Sequence, residues 1–135
     1  GILDILSFLK ENEILPFDFL VDISGVDCLE IKAFERFAVV YHLYSFKHGL
    51  RIRVKAFVAE KNPEIDSVTS LWPAANWQER EVYDLFGIKF RGHPDLRRLL
   101  LPDDFKAHPL RKDYPLKGMG ERSKFRVIKR ELDST

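Results

Sequence analysis

Ile2, Leu3, Ile5, Leu6 and Leu9 recur at intervals of about three and four, with Asp4, Lys10 and Glu11 set between them. That spacing predicts an amphipathic helix over residues 2–12, one side of which lies on a core. From Phe17 the period drops to two. Phe17, Phe19, Val21 and Ile23 alternate with Asp18, Leu20, Asp22 and Ser24, predicting a strand with one wet face before a turn around residues 25–27. Residues 28–34 and 36–46 predict a second and a third strand joined as a hairpin. The third is apolar on both sides, as a central strand is. After His48 and Gly49, Leu50, Ile52, Val54, Ala56 and Val58 alternate with Arg51, Arg53, Lys55 and Phe57, so residues 50–58 predict a further strand of an antiparallel sheet. Asn62, Pro63 and Glu64 have the character of an N-cap, a first-turn proline and a first-turn acid, and predict a helix over about 63–71 that stops before Pro73. A second helix follows over about 74–86, with Gly87 placed as a C-terminal glycine cap.

Beyond Ile88 the periodicity dissolves among Gly92, Pro94, Pro102, Pro109, Pro115, Gly118 and Gly120. The fold expected is α+β: a mainly antiparallel sheet of about four strands packed with two or three helices, followed by an extended, proline-rich, basic C-terminal wrap. Residues 1–88 form the globular domain, and residues 89–135 wrap it and its partners without being an independent domain. Charge supports this division. The net charge of +1 conceals 9 Lys/Arg against 14 Asp/Glu in residues 1–88, and 13 against 7 in residues 89–135. A basic segment of this kind suits an acidic partner or a polyanion, and equally suits a solvated tail.

Composition narrows the chemistry. With 135 residues, 45% of them hydrophobic, one core is large enough to fold without a covalent staple. Cys28, the single cysteine, excludes an internal disulfide and a cysteine cluster, so a reducing compartment is expected. The longest nearly uncharged apolar run, residues 37–46, is about half the length of a spanning helix. No glycine-rich loop joins a strand to a helix, and no P-loop lysine is present, which argues against a bound nucleotide or flavin. His42, His48, His93 and His108 show no zinc or iron ligand spacing, and no flavin, metal or cluster is expected on this chain.

The second helix carries the candidate residues. At 100° per residue, Ala75, Val82, Leu85 and Phe86 share one side, and Trp77, Arg80, Glu81 and Asp84 the other. Arg80 and Asp84 are spaced to pair, and a partner surface would cover Trp77. Glu79 falls near the apolar side, where a carboxylate needs a partner, and Arg97 or Arg98 are the nearest cations in sequence. An ion pair holding the basic segment to the helix and an acid–base role both fit that placement. His93 and His108 each precede a proline and are followed by basic pairs (Arg97 and Arg98; Arg111 and Lys112), which suits turn-fixing more than catalysis, since no nucleophile stands at telling spacing. Arg51, Arg53 and Lys55 with Tyr44, Phe46 and Phe57 could bind single-stranded nucleic acid, or form an ordinary solvent face or one that a helix covers.

The stretch NWQEREVYDLFGIKFRGHPDLRRLLLPDD, residues 76–104, followed by HPLRKDYP, residues 108–115, closely resembles the C-subunit family of respiratory complex I (NADH:quinone oxidoreductase). Glu79, Arg80, Glu81, Asp84, Leu85 and Phe86, then His93 and the Arg97, Arg98 pair, stand in the order of that family's signature; YHLYSF and LRIRVKAFV resemble its sheet region. The resemblance implies a non-catalytic subunit of the hydrophilic arm, without FMN or iron–sulfur clusters of its own. It implies docking on the D-subunit homologue, which helps to form the quinone site, in a complex that passes electrons from NADH to quinone with coupled ion translocation. It also implies membrane association through that complex, on the cytoplasmic side of a bacterial inner membrane or the matrix side of a mitochondrial one. The equivalent subunit of a membrane-bound hydrogenase or a photosynthetic NDH-type complex shares the motif, and a nucleic-acid-binding module is a third possibility.

Overall fold

The alternating segments pair as a three-stranded antiparallel sheet in a computed structural model that describes residues 1–124. Strands β1 (Phe19–Asp27), β2 (Phe37–Ser45) and β3 (Leu50–Val58) lie in sequence order, with β2 in the centre. Phe37, Val39, Tyr41 and Leu43 project from one face of β2 and are all fully buried, and Ile52, Val54 and Ala56 pack beside them from β3. β1 departs from strict alternation because its pairing slips between Leu20 and Asp22. The bulge lets Leu20 and Ile23 both enter the core, whereas Phe19, expected on the same face as Ile23, is exposed.

Helix α1 (Ile2–Glu11) covers the core with Leu6, and Trp72 is fastened beside it. The Trp72 indole N–H donates to the Asp18 carbonyl at 2.9 Å, and the Lys10 ammonium lies over the indole ring while donating to the Leu71 carbonyl. Helix α2 (Ala75–Phe86) packs on β1, and Gly25 makes that approach possible. A Cβ at Gly25 would stand 2.5 Å from the Phe86 ring.

Two expected elements are absent. Residues 28–34 do not form a strand. Asp27 ends β1 by accepting the Leu29 N–H through its carboxylate at 3.0 Å, and the chain loops round to Arg36, so β1 itself is the hairpin partner of β2. Residues 63–71 do not form a helix. Strand β4 (Glu64–Asp66) instead pairs in parallel with β5 (Lys89–Arg91), making a βαβ unit around α2. A nine-residue helix is marginal by itself, and burying Ile65 and Val68 in the core outweighs the local capping signals. The sheet is thus three antiparallel strands plus a two-stranded parallel pair, with two α-helices and a 3-10 turn, Glu121–Lys124, among the described residues. Residues 92–120 contain neither helix nor strand, and the end of the basic segment, residues 125–135, lies outside the described residues.

Candidate functional site

The pattern of α2 leaves its polar side to solvent or a partner; the chain's own residues 97–101 cover Arg80 and Asp84 on it. Asp84 is fully buried and collects four donors. Arg98 Nη1 donates to Asp84 Oδ1 at 2.7 Å, and the backbone N–H groups of Leu99, Leu100 and Leu101 donate to Oδ2 at 3.2, 2.7 and 2.9 Å. Burial by itself would raise the Asp84 pKa, yet the Arg98 guanidinium and the three N–H groups hold it below the usual carboxylate value. Arg80 does not pair with Asp84. It donates to the carbonyls of Arg97 and Arg98 at 3.1 and 3.0 Å, so α2 holds this turn by its carbonyls through Arg80 and by its N–H groups through Asp84.

Glu79 has neither arginine as its partner. Its carboxylate is fully buried and accepts the Val68 N–H and the Ser67 hydroxyl, both at 2.7 Å. Burial pushes its pKa up to about 7, and these two donors offset only part of that rise. His93 Nε2 lies 4.0 Å from the same carboxylate. The imidazole's partners define its tautomer: Nδ1 accepts the Asp95 N–H at 2.9 Å, and Nε2–H donates to the Asn76 carbonyl at 3.1 Å. His93 therefore fixes the turn at Pro94, as its position beside that proline suggests.

The HPLR stretch closes the other end of α2. A helix leaves its last carbonyls without internal partners. Here His108 Nδ1–H donates to the Asp84 carbonyl at 3.0 Å, the Leu110 N–H to Leu85 at 3.1 Å, and Arg111 Nε to Phe86 at 2.7 Å, while the Gly87 N–H takes Tyr83 at 2.8 Å. Burial, with Arg111 and Arg98 nearby, lowers the His108 pKa and favours this neutral imidazole. Gly87 is left-handed at φ 77°, and a Cβ there would meet Arg111 at 2.6 Å and His108 at 2.7 Å. Lys112 contributes its backbone: its N–H donates to Asp27 at 2.8 Å.

That last bond leads to a cluster that the linear pattern does not announce. Arg36, its side chain 8% exposed, bridges Asp27, Glu60 and Asp113 at 3.0, 2.6 and 2.9 Å. The only local signal for it is an acid that closes one strand and a base that opens the next. Arg36 and Arg111 also lie over the Phe37 ring, at 4.9 and 5.0 Å. Ser67, the hydroxyl partner of Glu79, carries no signal in the sequence either.

Three candidate residues remain outward. Glu81 is exposed, Arg97 pairs with its neighbour Asp95, and Trp77 is 61% exposed with Arg80 stacked on one ring face at 5.0 Å. Phe86 is buried against β1. Among the described residues no group of three His, Cys, Asp or Glu side chains converges as a metal site would require.

A buried carboxylate taking three consecutive backbone N–H groups and an arginine, next to a histidine-and-arginine helix cap, gives the buried charges of the 76–115 stretch a structural purpose. The family model described as the respiratory-chain NADH dehydrogenase 30 Kd subunit matches residues 1–120. The chain belongs to this family. Relatives named as the C-subunit of NADH-quinone oxidoreductase, from Geobacter metallireducens and Geobacter sulfurreducens, are 53% and 51% identical over 119 and 117 residues. Those alignments take in 88% and 87% of this chain, and 72% and 70% of the relatives. A solved structure of a trypsin-resistant fragment of Nqo5 is 46% identical, with a TM-score of 0.58 over 67% of this chain and 77% of that one. In this chain Arg80, Asp84, Arg98, His108 and Arg111 pack the C-terminal segment onto α2.

Proposed function

We propose that this chain is a non-catalytic peripheral-arm subunit of NADH:quinone oxidoreductase that docks on the D-subunit homologue and stabilises the module passing electrons from NADH to quinone. The observation that carries this reading is how the candidate charges are bonded. Glu79, Asp84, Arg98, His93, His108 and Arg111 hold backbone and side chains of their own chain, while Trp77 is left outward as an aromatic anchor beside Arg80. Aromatic and arginine anchors at the centre and charges at the rim are how such interfaces are built. Flavin, iron–sulfur clusters and quinone belong, on this reading, to neighbouring subunits. On this reading the domain extends past residue 88 to include β5, which pairs with β4, and the described part of the basic segment beyond it, residues 92–124, reaches those neighbours.

No helix among the described residues is long and apolar enough to cross a membrane. On this reading the chain meets the membrane through the complex, on the cytoplasmic or matrix side. Co-purification with the D-subunit homologue tests the reading. The unaltered chain retains that homologue, and Trp77→Ala weakens retention by about tenfold, or roughly 1.4 kcal/mol, without lowering the melting midpoint. Equal retention by both, or turnover of NADH by the isolated chain, overturns it.

A further inference from the structure

The sheet face turned away from α2 is only partly covered, by the loop after β1, and is not uniformly polar. Val26, Ala38 and Val40 floor a groove of about 490 Å³ there, and the loop after β1 walls it with Ile31 and Phe34. Phe34 is 89% exposed and meets Phe57 of β3 edge-on at 5.5 Å, so an aromatic pair stands at the rim. Lys32 and Lys55 also line the groove, and Arg53 and Arg51 continue the row along the same face of β3. Lys32, Arg53 and Lys55 make no ion pair among the described residues. The acids flanking the loop in sequence, Glu30 and Glu35, do not line the groove, and Asp22, in register with His42 and Arg53, is engaged with Ser24 at 2.6 Å.

An apolar trough beside a row of unpaired cations selects against most occupants. A second copy of this chain docking through the same face would bring an identical basic row against the first. Residues 125–135 carry Arg126, Lys129 and Arg130 against Glu131 and Asp133, so they too are repelled. We infer that this face is a second docking surface, taking an acidic amphipathic segment of a partner subunit whose apolar side chains fill the groove while its carboxylates meet Lys32, Arg53 and Lys55. The inference rests on the function proposed above and adds a contact on the side of the molecule opposite α2.

The test uses the assembled complex, with a photoreactive phenylalanine analogue at position 57 and, in a parallel sample, at position 77. The expected result is an adduct from position 57 to a Glu- and Asp-rich segment of another subunit. The double variant Arg53→Glu, Lys55→Glu should lower that yield about tenfold in a salt-dependent way, while the double variant Arg53→Lys, Lys55→Arg preserves it. Both residues are exposed at the sheet surface, and an unchanged melting midpoint verifies that the variants fold. Adducts from position 57 only to a second copy, to residues 125–135 or to nucleic acid overturn the inference. No adduct from position 57, with position 77 still cross-linking, overturns it while sparing the proposed function; silence at both positions removes both.

Discussion

Two fully buried carboxylates on one helix, five residues apart, have opposite electrostatic fates, and the donors around them decide which. Asp84 has an arginine and three N–H groups; Glu79 has one N–H and one hydroxyl. Asp84 therefore stabilises the fold when ionised. Its contribution is present above the unfolded value of 3.8 and is lost as pH falls through its lower folded value. Asp84→Ala should cost about 3 to 5 kcal/mol, because it strands the Arg98 guanidinium and three backbone donors together; urea titration measures it. Glu79 works in reverse. Its folded pKa of about 7 exceeds the ordinary value of 4.5, so its stabilising effect is full below 4.5 and is lost as pH rises through 7. Glu79→Gln keeps the contacts, since the amide oxygen accepts the Val68 N–H while the amide nitrogen donates to the Ser67 hydroxyl. Between about pH 5 and pH 8.5 the unaltered chain should lose on the order of 3 kcal/mol that the Gln variant does not. Parallel pH dependence of the two melting curves would contradict this, with His93 and Tyr41, the other titratable groups facing the carboxylate, present in both.

At the scale of elements, α2 is the piece that everything else addresses. Gly25 admits Phe86 on its sheet side, the turn at residues 97–101 occupies its polar side, and His108, Leu110 and Arg111 satisfy its terminal carbonyls. Gly25→Val should destabilise by about 1 to 3 kcal/mol, the usual cost of overpacking, because the new Cβ lies 2.5 Å from a buried ring; calorimetry reads it directly. β3 is an edge strand of nine residues, and its outward Arg51, Arg53 and Lys55 discourage pairing with another edge. α1, β3 and α2 were legible because one buried face suffices to dictate their period, and β2 because its run is apolar on both faces, as a central strand's is. β4 was not legible. Three residues carry no period, and their strand partner lies beyond a whole helix.

For the molecule as a whole, Arg36 joins parts of the chain that are far apart in sequence: the end of β1, Glu60 after β3, and Asp113 in the basic segment. Burial within this cluster is offset by its hydrogen bonds, which keep the Asp27 carboxyl below its usual value. Arg36→Ala should cost about 3 kcal/mol and speed amide exchange around residues 112–114, because Asp27 loses its counter-charge while still buried. Exchange unchanged there would mean that the helix cap at residues 108–111 suffices to hold the segment. Residue order alone was enough for the family, three of the four expected strands, two of the three expected helices and the glycine cap at Gly87, because each follows from local period, local backbone need or a contiguous motif. Which charge meets which was settled by folding in three dimensions. Glu79 took Ser67 and Val68 instead of an arginine, and Asp84 took Arg98 instead of Arg80. Such pairings depend on how far each backbone approaches the other in space, and spacing along one helix carries no record of that.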